Sequence, residues 1–448
     1  MSGVSIARVF ITLVLLATLL TENPVCFAEG GRLLSLNPTT PVETEKLKVA
    51  EETKSAAVPS QVDLSREGAW GQVEYFSALL EAPDAVLEAT MPTSFQVKWV
   101  FEGKSEAWVD DFIRQRQLPM MLERGILDRA IWHIDDSAVS VMPGTQLIRS
   151  IPSKARAEIY SVLATSDRNP DIVEPEVVYG ASVEEWLRED GLREELVAFI
   201  RDCAYPRGGL TVFADKLAVY SGCRSDNERL RVRRAMSRNP TLVAKLVLGS
   251  GSPDALAKYW GRGFRLKDTL PFIRSMAKTR GADKIDIIHL LPAAMRKVLY
   301  TFPNPLSSRS GYLPDCHWTS LNFFNPEPLE RLADPVQATA YVQEHFERVE
   351  APYQLGDVLF LANPQTGAAY HSCSYIFDDV VMSKNGRSPI QPWVLMKLDQ
   401  IRSLYGLHFK TEASNQANIP IAIMASKWRM RPGASETMIS LSPLAASW

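Results

Sequence analysis

The sequence predicts an α+β protein: a mostly helical N-terminal region, then an antiparallel sheet packed on helices. Three observations carry this. Helical signals dominate residues 63–300. Three short strand-like runs separated by turn residues follow, at 355–385. Helices first and hairpin-connected strands afterwards is the order of an α+β chain. With 448 residues, 46% of them apolar and 23% charged, the chain has room for two or three domains and a substantial core. A net charge of −3 and scattered Lys and Arg give no electrostatic footprint for nucleic acid, and that class is set aside.

The chain opens on Arg8 and the apolar run VFITLVLLATLL (9–20), ahead of TENPVCFA. This is the pattern of a secretory signal peptide (1–28) cut after Ala28, and the run is short for a permanent span. Export to the periplasm or the outside is therefore expected, with no membrane span after cleavage. Removal of Cys26 leaves four thiols, of which Cys203 and Cys223 are free to pair in an oxidising compartment. Residues 29–62 are rich in Thr, Pro, Glu, Lys and Ala and read as a flexible leader.

Within 63–300, FQVKWVFEG (95–103) alternates like a strand, and the remaining signals are helical. Ser182 with Glu185 forms a capping box ahead of EEWLREDGLREELVAFIRDCAY. DNERLRVRRAMSR (226–238) and TLVAKLVL (241–248) read as helices, as does the echo between IPSKARAEIY (151–160) and LPAAMRKVLY (291–300), which share a Pro-started helix. The texture changes after 300, where a domain boundary is expected, with the second domain at 301–430 and a disordered tail at 431–448. That domain starts with a helix near Cys316 and a second from Asp334 to Val349. The strands LGDVLFLAN, YHSCSYIF and VVMSKN follow, then the helix PWVLMKLDQIRSLY. IAIMASKWRM (421–430) adds one edge strand.

The chemistry concentrates at PDCHWTSLNFF (314–324). Pro314 and Asp315 put Cys316 at a helix start, where unpaired N–H groups favour a thiolate and can hold an oxyanion. His317 leaves the helix about 100° from the thiol, so the base is sought elsewhere. His371 opens a strand and shares a face with Cys373 and Tyr375. A group on the next strand must orient the imidazole. A tight turn at Asp378 and Asp379 puts Lys384 on the His371 face, whereas a bulge puts Ser383 and Asn385 there. Asn385 is the expected partner and Ser383 the alternate. No metal is assigned, because neighbouring ligands on one helix diverge.

Asp-Cys at a helix start, GDVLFL opening a sheet and His-x-small-x-Tyr-Ile 55 residues after the Cys together resemble the NlpC/P60 family of papain-like cysteine peptidases, over residues 300–410. The resemblance implies a papain-like domain in which Cys316 attacks an amide carbonyl and His371 activates the thiol, then protonates the leaving amine, without a cofactor. It implies peptidoglycan or another cell-surface peptide as substrate. Family members commonly place a small Ser after the Cys, whereas here His317 and Trp318 follow. Asp315, His317 and Trp318 are thus the candidate substrate contacts, with Trp318 also suited to helix packing and Cys373 to the core. Two other readings share these residues: a non-catalytic envelope binding or assembly module, and an acyltransferase or amidase on another substrate.

Overall fold

The computed structural model describes residues 62–188, 191–304, 313–362 and 369–407, and the backbone of 421–426. The expected signal peptide, nearly all of the leader and the 431–448 tail lie outside the described residues. The class is α+β, with 42% of the described residues helical and 22% in strands, and the sheets among them are antiparallel.

The principal sheet has six strands in the order Phe346–Arg348, Ile421–Ser426, Val358–Ala362, Ala369–Phe377, Val380–Lys384, Trp393–Lys397. The four strands from Val358–Ala362 to Trp393–Lys397 are buried on both faces. Val358, Phe360, Met382, Trp393 and Leu395 point to one core, while Leu359, Leu361, Cys373, Val381 and Val394 point to another. Helix Cys316–Leu321 packs on the first face, and helix Leu398–Gly406 lies against the second through Ile401 and Leu404.

Two readings fail here for one reason. PWVLMK and TLVAKLVL were expected to be helical, but Trp393–Lys397 and Asn239–Val247 are strands. A short, nearly continuous apolar run is ambiguous between a buried helix and a buried strand, and pairing decides it. Trp393–Lys397 pairs with Val380–Lys384, and Asn239–Val247 pairs along its length with Val73–Leu80. The strand at 421–426 is also internal to the sheet, not at its edge.

The pair Val73–Leu80 and Asn239–Val247 belongs to a four-stranded sheet with Asp63–Leu64 and Lys284–Asp286. Its buried Val73, Leu242 and Leu246 share one core with Trp260 and Met295, and with Trp318, Phe360 and Leu395 from beyond 313. The boundary expected at 300 therefore falls inside a single core. Thr241 ties the two sheets together: its hydroxyl accepts from Leu395 N (3.0 Å) and donates to Leu395 O (3.3 Å), covering a strand edge.

Residues 81–238 are an insertion between the two paired strands. They carry their own core, from Trp99 to Met236, to which the C-terminal region contributes Leu407. This lobe is mostly helical in its regular structure, with short strands. It holds two three-stranded sheets beside helices such as Ser153–Leu163, Glu194–Cys203 and Asp226–Met236. At its centre Arg156 meets Asp215 at 2.8 Å, and Tyr160 OH donates to the same carboxylate at 2.5 Å. Cys203 and Cys223 are both free and buried, so the open disulfide between them is not made. The echoed segments share only their start: Pro152 and Pro292 precede their helices at the cap position, and Tyr160 lies within its helix whereas Tyr300 follows one.

Candidate active site

Asp315 caps the helix that bears the thiol, its side chain accepting from Trp318 N at 2.9 Å, and Cys316 becomes the first helical residue. Trp393 Nε1 donates to Thr319 Oγ1 (2.8 Å), pinning the helix to the sheet. Trp318 is buried against Trp393, ring centroids 6.2 Å apart, so it is packing and does not wall the cleft described below. The helix has six residues, too few for a strong macrodipole. Charge on the thiol has to be stabilised by side chains.

Two imidazoles do this. His371 sits on the central strand, fully buried, with the Tyr405 ring stacked over it at 4.0 Å. Its Nε2 lies 2.9 Å from Ser383 Oγ, and Ser383 donates its own proton to Asn385 Oδ1 at 3.0 Å. With the hydroxyl proton spent on Asn385, Ser383 accepts from His371 Nε2–H. Nδ1, which makes no hydrogen bond of good geometry, is the nitrogen left for the thiol. The expected direct contact from Asn385 is thus corrected: Ser383 touches the ring and Asn385 stands behind it. A register shift between Tyr375 and Phe377 brings both residues to the His371 face and sends Lys384 to the other.

His317 is the second imidazole. Its Nδ1 lies 2.8 Å from Ser372 Oγ, which is 2.7 Å from Ser320 Oγ, itself 3.0 Å from Cys316 O. A carbonyl can only accept, so the proton order satisfying every atom runs from His317 Nδ1–H to Ser372, to Ser320, to Cys316 O. The ring also lies nearly parallel to Phe360, 6.2 Å away. The separation of His317 from the thiol inferred from helix geometry does not hold. The anchor on Ser372, across on the sheet, turns the ring so that its other edge serves Cys316.

Burial pushes the Cys316 thiol up, but the electrostatic influence of His317 and His371, and their hydrogen bonds, outweigh it and bring the thiol down to about 5. For His317, burial works downward, while the Cys316 thiolate and then Asp315 raise it to about 9. Cys316 and His317 therefore form a thiolate–imidazolium pair at neutral pH. Cys373 is different: it is fully buried, donates to Leu359 O at 3.9 Å, and burial drives its thiol well up.

The loop after Ser383 closes one side. Burial lowers Lys384 to about 8 despite nearby Asp315 and Cys316, and its ammonium holds Gly386 O (2.7 Å) and Ser388 O (3.2 Å). Arg387, carried by that loop, reaches Asp315 Oδ2 (3.4 Å) and Ala333 O (3.1 Å). Both Asp315 oxygens are engaged internally, one by the helix cap and one by Arg387.

Cys316 and His317 line a cleft of about 730 Å³ between the principal sheet and the inserted lobe, which contributes Glu176, Tyr179 and Lys216. Tyr405 and Arg387 line it too, whereas His371 does not. Sequence reasoning missed Ser372 and Tyr405. Strand alternation alone puts Ser372 on the face opposite His371, toward the thiol helix, and so carried the signal; nothing local marks Tyr405. Among the described residues, no group of three or more His, Cys, Asp or Glu is placed to hold a metal ion. No family model matches the chain, and neither a curated protein nor a solved structure matches it.

Proposed function

We propose that this protein is an exported thiol hydrolase that cleaves an amide bond, with peptidoglycan peptides as its substrate class. The observation that carries the reading is a low-titrating thiol set between two hydroxyl-braced imidazoles on the wall of an inter-lobe cleft. The order of parts, a thiol at a helix start followed by antiparallel strands bearing the imidazole and its polar partner, supports the NlpC/P60-like assignment. No cofactor enters the chemistry.

In this reading the Cys316 thiolate attacks the amide carbonyl, the amine leaves with a proton supplied by an imidazole, and water then cleaves the thioester. His371, held by Ser383 and Asn385, is the partner that the family resemblance implies. Engagement of Asp315 by Arg387 argues against its capturing a substrate amino group, and the specificity of the cleft falls to other residues. Cleavage of purified wall peptides by the mature chain, compared with Cys316→Ala, tests the proposal. A clear loss in the variant is expected, and equal rates would end the reading.

A further inference from the structure

We propose that His317, rather than His371, is the group that protonates the leaving amine and then takes a proton from the attacking water. The inference rests on the thiol-hydrolase reading and assigns its proton traffic.

Access is the first ground. A general acid must come within hydrogen-bond reach of the atom that it protonates. His317 lines the cleft beside Cys316, whereas His371 is 0% exposed, lies beneath Tyr405 and is no part of the cleft wall. A substrate seated against the sulfur meets the His317 ring first.

Pre-organisation is the second. Ser372 occupies Nδ1 and Phe360 lies along the ring, so Nε2 is the edge left for the sulfur and the substrate. The brace also keeps Nδ1–H in place whether the ring is neutral or charged, and cycling therefore moves a single proton at Nε2. Three neighbours act on the ring: Asp315 and Cys316, from the start of its own helix, favour its charged form, and Arg387, from the loop after Ser383, opposes it. The sulfur interacts electrostatically with His317, His371, Lys384, Cys373 and Tyr405. The resulting resting state, thiolate with imidazolium, supplies the acid where it is needed.

The step balances. The Cys316 S–C bond forms as the C–N bond breaks, and the amine nitrogen leaves with the Nε2 proton of His317. Neutral His317 then accepts a proton from water as its oxygen attacks the thioester. The S–C bond breaks, and thiolate and imidazolium are restored.

Two aryl acetates test this without the natural substrate. Acylation of Cys316 by p-nitrophenyl acetate expels a good leaving group that needs no acid, whereas phenyl acetate expels a poor one that does. The ratio of the two rates cancels the thiolate fraction and any inactive protein. His317→Asn keeps an amide N–H for Ser372 and removes Nε2. The ratio is expected to rise by about 100-fold or more, the scale of general acid catalysis, while His371→Gln leaves it unchanged. If His317→Asn does not fold, Ser372→Ala, which frees the ring, is expected to raise the ratio by about tenfold. An unchanged ratio in the folded His317 variant, or a rise in His371→Gln, overturns the assignment. A wild type no faster than Cys316→Ala on p-nitrophenyl acetate overturns the hydrolase reading itself, and the assignment with it.

Discussion

The thiolate–imidazolium pair makes the pH dependence of Cys316 alkylation the most direct prediction. The Cys316 thiol is depressed to about 5, so the pair is lost as pH falls through that value. His317 is raised to about 9, so the pair is lost again as pH rises through that value. Iodoacetamide rates should therefore climb in two steps, near 5 and near 9, where an ordinary thiol climbs once, near about 8.5. The rate at neutral pH decides little: at about pH 7 a thiol titrating near 5 carries roughly thirtyfold more thiolate than an ordinary one. Its nucleophilicity falls by a similar factor, about 25- to 55-fold for a Brønsted slope of about 0.4–0.5. At about pH 5.5 the two effects no longer cancel, because the thiolate ratio grows to about 750. Net alkylation on the order of twentyfold faster than an unperturbed thiol is expected there. The other described cysteines do not interfere, since burial pushes Cys203 to about 12 and Cys223 to about 11 and encloses Cys373. A single inflexion near about 8.5, abolished by Cys316→Ala, would refute the ion pair.

Other substitutions test the framework. Ser383→Ala leaves His371 Nε2–H buried without its acceptor and should cost about 1–3 kcal/mol in urea unfolding, while Asn385→Ala costs less, because Ser383 still holds the ring. The reverse order would return Asn385 to direct contact. Arg156→Ala strands the buried Asp215 and should cost about 3–5 kcal/mol, measured in the same way; a loss below about 1 kcal/mol contradicts a buried pair. Thr241→Val removes both bonds to the Leu395 backbone and should cost about 1–3 kcal/mol, with neutrality arguing that water replaces them.

What the sequence made legible follows from how local each signal is. Cys316 behind Asp315 and His371 at the start of an alternating strand depend only on short-range geometry, and both stand where that geometry puts them. Ser383 against Lys384 turned on one bulge near Ile376, and dipeptide Asp378–Asp379 was compatible with either register. The position of the His317 ring is not legible locally, because a helical wheel fixes the direction of Cβ and not of a ring whose anchor, Ser372, lies 55 residues away. The strands at 239–247 and 393–397 went unseen because their partners are distant in sequence or their apolar runs too short to show a period. The boundary placed at 300 failed for a related reason: a change in loop texture says nothing about which side chains share a core.

That shared core decides how the protein can be divided. A fragment starting at 301 leaves Trp318, Phe360 and Leu395 without Leu242, Trp260 and Met295, the residues that cover them. The insertion is the separable part. Leu80 and Asn239 are register partners, so the strands flanking residues 81–238 end side by side, and a two-residue Asn-Gly turn can join them. Apart from Leu407, the core of the insertion leaves with it, while Cys316, His317, His371, Ser372 and Ser383 all remain. The excised chain should therefore unfold cooperatively and keep the lower alkylation inflexion near 5. Its peptide cleavage should drop, because the wall bearing Glu176, Tyr179 and Lys216 is gone. An inflexion returned to the ordinary thiol value in a folded chain would mean that the insertion, and not the two imidazoles, sets the charge of the site. That outcome would transfer the origin of reactivity from the residues around the sulfur to the closure of the cleft.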